Sequence, residues 1–172
     1  MREALQETVE YQRIAEHYGT RTALRSGALL IRHIDQGLAI LAAIGASELA
    51  MRAYCLHPLV QADADLAASF LRMGELSNDV RVSALALEYR NIANATLSTR
   101  VIASAADIPL SPLAEVNQML VADKVQNRAD FLEHHVDSHP RAAELARYFE
   151  LWLQRLGISD DRYAELVAIS RT

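Results

Sequence analysis

Apolar residues recur at intervals of three and four along nearly the whole chain, and no stretch alternates apolar and polar residues as a half-buried strand would. That period restricts the chain to amphipathic helices packed on one another. Composition agrees: 51% of the 172 residues are hydrophobic and only 6% aromatic, with Ala and Leu, both strong helix formers, dominating. The length suffices for one sizeable core. We therefore expect an all-α, compact single-domain bundle of about eight helices spanning residues 1–172.

Helix punctuation is legible at several points. Gly45 with Ser47 ends one helix and caps the next, and Ser77 or Asn78 opens another through "VRVSALALEYRNIANATL". In "DIPLSPLAE" a loop closes with Ser111 as N-cap and Pro112 at the first helical position. Ser138 and Pro140 repeat that signal, Gly157 stops the helix that follows, and Ser159 with Asp160 and Asp161 starts a last one. No repeat, low-complexity segment or linker interrupts the pattern.

Several function classes fall away. A formal charge of −5 and a pI of about 5.7 argue against general nucleic-acid binding, which needs a basic surface to displace counterions. The opening "MREALQETVEYQR" is charged and amphipathic, unlike a signal peptide, and the most apolar run, Leu38 to Ala46, is too short to span a bilayer. These features predict a cytoplasmic protein without membrane contact. Cys55, the single cysteine, forms no internal disulfide and reads as a small core residue.

What a plain helical core does not need is ionisable groups among its apolar stripes, and four segments carry them. His33 follows "GALLI", and His57 ends "MRAYCL". Asp123 lies in "MLVADKVQN", with Asn127 four residues on and so on the same helix face. Glu88, Asn91 and Asn94 share one apolar helix at three-residue steps. Each has a structural reading: hydrogen-bonded core histidines, an Asp123–Lys124 ion pair, an interhelical polar network around Glu88. The histidines of "LEHHVDSHP" (His134, His135 and His139) match no compact metal motif and read as solvated surface. Together, two imidazoles and a carboxylate from three separate helices also suit Mn²⁺, Fe²⁺ or Zn²⁺ with open positions left over.

Order and surroundings add a resemblance. "AEHYGTRTALRSGALLIRH", "AMRAYCLHPLVQAD" and "VADKVQNRADF" follow one another, with a weaker "RYFELW" beyond. In these blocks the chain resembles the HD superfamily of metal-dependent phosphohydrolases, above all the hydrolase domains of the bifunctional (p)ppGpp synthetase/hydrolases and their small metazoan relatives. The likeness covers roughly residues 10 to 155. It implies that His33, His57 and Asp123 are metal ligands. It also implies that Asn127 faces the sugar or phosphate of a nucleotide polyphosphate, that Arg21 or Arg25 stacks on or pairs with it, and that Tyr148 lines the pocket mouth.

The departures fall on one helix. Where the family reads His-Asp-x-x-Glu-Asp, this chain reads His57-Pro58-Leu59-Val60-Gln61-Ala62. One metal ligand and two residues implicated in handling the attacking water are replaced, and neither glutamine nor alanine can act as a general base. Proline lacks an N–H and disfavours helix in the residue before it, which predicts altered backbone at His57. Asp63 and Asp65 would reach the site only across such a break, since same-face positions lie three, four and seven residues on. Glu88, an acid inside an apolar stripe, is the better-placed candidate catalytic acid. Three functions follow: a phosphohydrolase with rewired acids, a nucleotide- or metal-binding domain without turnover, and an interaction module that keeps only the fold.

Overall fold

The computed structural model describes residues 2–24, 26–95 and 102–172. The described residues form ten helices: α1 (Arg2–Gln6), α2 (Val9–Tyr18), α3 (Ile31–Ala43), α4 (Glu48–Gln61), α5 (Asp63–Phe70), α6 (Met73–Leu76), α7 (Val80–Ala95), α8 (Ala114–His134), α9 (Ala142–Arg155) and α10 (Asp160–Ser170). Eight of them have seven or more residues, and a 3₁₀ turn spans Ala105–Asp107. The described residues contain no strand, only an isolated bridge between Thr22 and Leu29. The expected all-α bundle is what forms, and no helix among these residues is long and apolar enough to cross a membrane.

Two helices make the centre. α4 packs on α2, α3, α5, α7 and α8, while α8 also meets α3, α7, α9 and α10. From Met51 to Val60 only Arg52 and Pro58 escape full burial, so α4 is apolar nearly all round, as a helix enclosed by neighbours must be. Cys55 is among its buried residues, as expected.

The caps explain most boundaries. Ser47 Oγ accepts from the Ala50 N–H and Ser159 Oγ from the Arg162 N–H, at 3.2 and 3.3 Å. Gly45 turns the chain after α3 at φ 68°, in the left-handed region that suits glycine. α8 begins at Ala114, two residues past the expected start. Ser111 instead accepts from the Leu113 N–H and donates to Glu88, so its hydroxyl stabilises the preceding turn. α9 likewise starts after Arg141 rather than at Pro140.

The largest departure is at Pro58, where α4 continues unbroken to Gln61. Packing on both sides outweighs the lost backbone bond. Asp63 and Asp65 therefore fall in the first turn of α5, and Asp63 pairs with Arg90 at the surface.

A buried ion pair ties α2 to α4. The Glu10 carboxylate, with no exposed surface, accepts from Arg52 Nη2 at 2.9 Å, Arg52 Nε at 3.1 Å and Ser77 Oγ at 2.5 Å. Burial pushes the Glu10 carboxyl up, but the Arg52 and Ser77 hydrogen bonds outweigh it and leave it below its ordinary value. Arg52→Met would strand that carboxylate. We expect a loss of about 3–5 kcal/mol in chemical denaturation; a change under about 1 kcal/mol would show that the pair is dispensable.

Candidate metal centre

His33 lies in the first turn of α3, His57 one turn before the end of α4 and Asp123 midway along α8. Three helices thus bring together the three residues expected to meet. Their ligand atoms all lie within 4.8 Å of one another, and among the described residues they are the one group of three such side chains close enough to hold an ion. His33 Nε2 is 3.3 Å from His57 Nε2 and 3.7 Å from Asp123 Oδ1, which is 4.0 Å from His57 Nε2. Donors bound tetrahedrally at ~2.0–2.1 Å stand about 3.4 Å apart, so small adjustments would close the triangle on a metal ion.

The proline helps to orient this site. In a regular helix the Tyr54 carbonyl would accept from the N–H of residue 58, which Pro58 lacks. His57 Nδ1 lies 2.6 Å from that carbonyl oxygen and donates to it. His33 Nδ1 sits 2.7 Å from Gln126 Oε1, while Gln126 Nε2 donates to Gln36 Oε1 at 3.2 Å. Tautomers assigned from these partners leave both Nε2 atoms with lone pairs directed at one another and at a carboxylate. Three such acceptors grouped around one small space could hold a metal ion, and that is the sense in which these residues fit one.

Around this group the charges are arranged in pairs. Lys124 Nζ donates to Asp123 Oδ2 at 2.9 Å and lies over the rings of Trp152 and Tyr148, 5.1 and 5.6 Å from their centroids. Burial drives Lys124 down, but the Asp123 carboxylate more than reverses this. Burial likewise drives Asp123 up, and Lys124 with the two histidines overcomes it, so the carboxyl stays ionised. His57 is pushed down to about 3, first by burial and then by His33, and is therefore a neutral imidazole near pH 7.

Two clefts flank the group and share Asn127, which donates to Asp123 Oδ1 at 2.8 Å. One, of about 500 Å³, is lined by Arg32, His33, Gln36 and Gln126 among others. The other, of about 510 Å³, is lined by Gln61, Asp123, Lys124 and Tyr148 among others. The Tyr148 hydroxyl is buried there without a protein hydrogen-bond partner among the described residues.

The remaining candidates lie elsewhere. Arg21 caps the end of α2, its guanidinium on the carbonyls of His17 and Tyr18, and lines neither cleft. Arg25 is outside the described residues. The Glu88 carboxylate accepts from Ser111 Oγ at 2.9 Å and Asn91 Nδ2 at 3.3 Å, and it too lines neither cleft. His134 and His135 face Asp130 at 3.9 and 3.3 Å, the latter on the wall of the second cleft with His139.

The structure adds residues that sequence reasoning passed over. Gln126, three residues after Asp123, orients His33. Arg32 lines the first cleft, and among the described residues its exposed guanidinium has no ion-pair partner. Its one signal was position, next to a candidate ligand. Lys124 does form the ion pair considered for it, and the pair is buried. The chain matches no family model, no curated protein and no solved structure.

The His57 environment sets a pH dependence. The unfolded chain takes up a proton at residue 57 near pH 6.5, whereas the folded protein refuses it down to about 3. Metal-free stability should therefore fall as pH drops from about 6.5 toward 3, by at most ~1.4 kcal/mol per pH unit from this residue. Asp123 acts in the same direction lower down, because its contribution vanishes as pH falls through its depressed folded value. Denaturation across this range should show a shallower decline for His57→Phe than for the wild type; equal slopes would exclude His57 as the source.

Proposed function

We propose that the chain is an HD-like, divalent-metal-dependent phosphohydrolase domain that takes a nucleotide polyphosphate of the (p)ppGpp kind, with Mn²⁺, Fe²⁺ or Zn²⁺ held by His33, His57 and Asp123. One observation carries this reading: two imidazole lone pairs and a carboxylate oxygen from three helices converge on one small space. A bound divalent ion supplies positive charge to a phosphoryl oxygen and acidity to adjacent water. The chain itself holds and orients the ligand. Arg32 in one cleft offers a planar guanidinium to phosphate oxygens, and Asn127 stands between the clefts. In the second cleft the Tyr148 hydroxyl is a ready donor.

A second reading, binding without efficient turnover, is favoured by where the acids lie. Glu88 is engaged by Ser111 and Asn91, and Gln61 on the second cleft wall cannot transfer a proton. The two readings differ in rate rather than in site.

Elemental analysis and thermal shift on untagged protein should show stabilisation by Mn²⁺, Fe²⁺ or Zn²⁺ that is lost in His33→Ala and Asp123→Ala. Absence of any stabilisation would overturn the metal reading. A screen of (p)ppGpp, NTPs, dNTPs and NADPH should show a shift by at least one phosphorylated nucleotide, reduced by Arg32→Ala.

Catalysis is tested separately. Glu88→Gln should leave any turnover within a few-fold, because its carboxylate serves the turn before α8. Pro58→Asp with Gln61→Glu and Ala62→Asp should raise metal-dependent hydrolysis, since a positioned acid or base is worth ~10²–10⁴-fold. If nucleotide binds and the triple variant stays inert, the hydrolase reading fails and binding remains.

A further inference from the structure

Tyr54 is fully buried at the heart of the site, yet its hydroxyl has no good partner. Among the described residues its only hydrogen-bonding neighbour is His33 Nε2, at 3.4 Å. That is long for an O–H donor, whose bonds cluster near ~2.7–2.8 Å to oxygen and a little longer to nitrogen. It is, however, the spacing of about 3.4 Å that separates two ligands of one tetrahedral ion. The ring also lies against His57, with centroids 4.5 Å apart.

The chain makes unusual room for this side chain. A Cβ on Gly37 would come within 2.2 Å of Tyr54 Cε1 and 2.3 Å of both Cζ and the hydroxyl oxygen. The ring therefore rests on bare backbone of α3, one turn beyond His33. Residue 54 also sits one turn before Pro58, on the same side of α4. A phenylalanine would fill the core equally well, so packing alone does not account for a hydroxyl aimed at the ligands.

We propose that the Tyr54 phenolic oxygen is a fourth protein ligand, making the centre a His₂-Asp-Tyr site suited to iron. This rests on the metal reading above and extends it. As the oxygen–metal bond forms, the phenolic O–H bond breaks and the proton leaves to solvent; no oxidant or reductant is involved. An anionic oxygen donor beside a carboxylate favours a hard, highly charged ion.

The test is titration of untagged, metal-free protein with Fe³⁺ supplied as a weak chelate, and with Zn²⁺. Wild type, Tyr54→Phe, Gly37→Ala and His33→Ala would be compared, with circular dichroism confirming the fold. The wild type should develop a visible phenolate-to-iron(III) charge-transfer band. Tyr54→Phe should lose the band and bind Zn²⁺ at least ~10-fold more weakly, at or beyond the loss expected for an outer-shell partner. Gly37→Ala, which displaces the ring while keeping the tyrosine, should weaken or abolish the band.

Metal uptake that depends on His33 but shows no band, with Tyr54→Phe binding unchanged, would overturn Tyr54 as a ligand and leave the metal centre standing. A band that persists in Tyr54→Phe would assign the colour to another tyrosine and overturn it equally. No His33-dependent uptake of either ion would overturn both the ligand and the centre.

Discussion

The hydrogen bond from His57 Nδ1 to the Tyr54 carbonyl holds the rest of the site in register. Pro58 brings no N–H to that carbonyl, so the imidazole does not share its acceptor with the backbone. An interior proline costs a helix about 3 kcal/mol, and α4 bears this because its central stretch is packed on several neighbours. Locking Nδ1 outward turns Nε2 inward, towards His33 and Asp123. The residue that departs most from the resembled motif therefore leaves free the carbonyl that orients the histidine beside it.

The same packing dictates the electrostatics. Asp123 and Lys124 are adjacent, both nearly inaccessible, and each is ionised because the other is. Such a pair is expensive to remove from water, and its value lies in keeping a negative charge at a fixed point. Lys124 occupies Oδ2, whereas Oδ1 faces the imidazoles and accepts from Asn127. The carboxylate is thereby divided into one oxygen committed to the fold and one turned to the site.

Much of the architecture was legible in the sequence, since period, caps and breakers are local properties. Ser47 and Ser159 cap as read, and the all-helical class follows from spacing alone. Boundaries drifted where a capping side chain found a tertiary partner, as Ser111 did in Glu88. The helix through Pro58 was not legible, because burial on both sides decided it against local propensity. The three residues that meet at the site could be named from residue type and order. Their supporting contacts could not: Gln126 with His33 joins residues 93 apart in sequence, and Gly37 under Tyr54 depends on how two successive helices pack. Glu88 stood out as an acid in an apolar stripe, but its partner came from a loop whose path the pattern does not encode.

Charge balance links the centre to its clefts. His57 is a neutral imidazole and Asp123 and Lys124 cancel, so the group offers no net negative charge to offset a cation. A divalent ion would add two positive charges to a site whose floor is buried. The Asn127 amide turns its N–H to the site and offsets none of this, whereas the Tyr54 hydroxyl oxygen lies close by; a full anionic charge would have to come from the ligand or from Tyr54 itself. Ion and polyphosphate would then each strengthen the other's binding by the same factor, as linkage requires. Arg32, exposed at the rim of one cleft and without an ion-pair partner among the described residues, would extend that preference to the anion's outer charges. Under the proposed reading these inward-facing acceptors are the part of the fold that a scaffold with no ligand would not need.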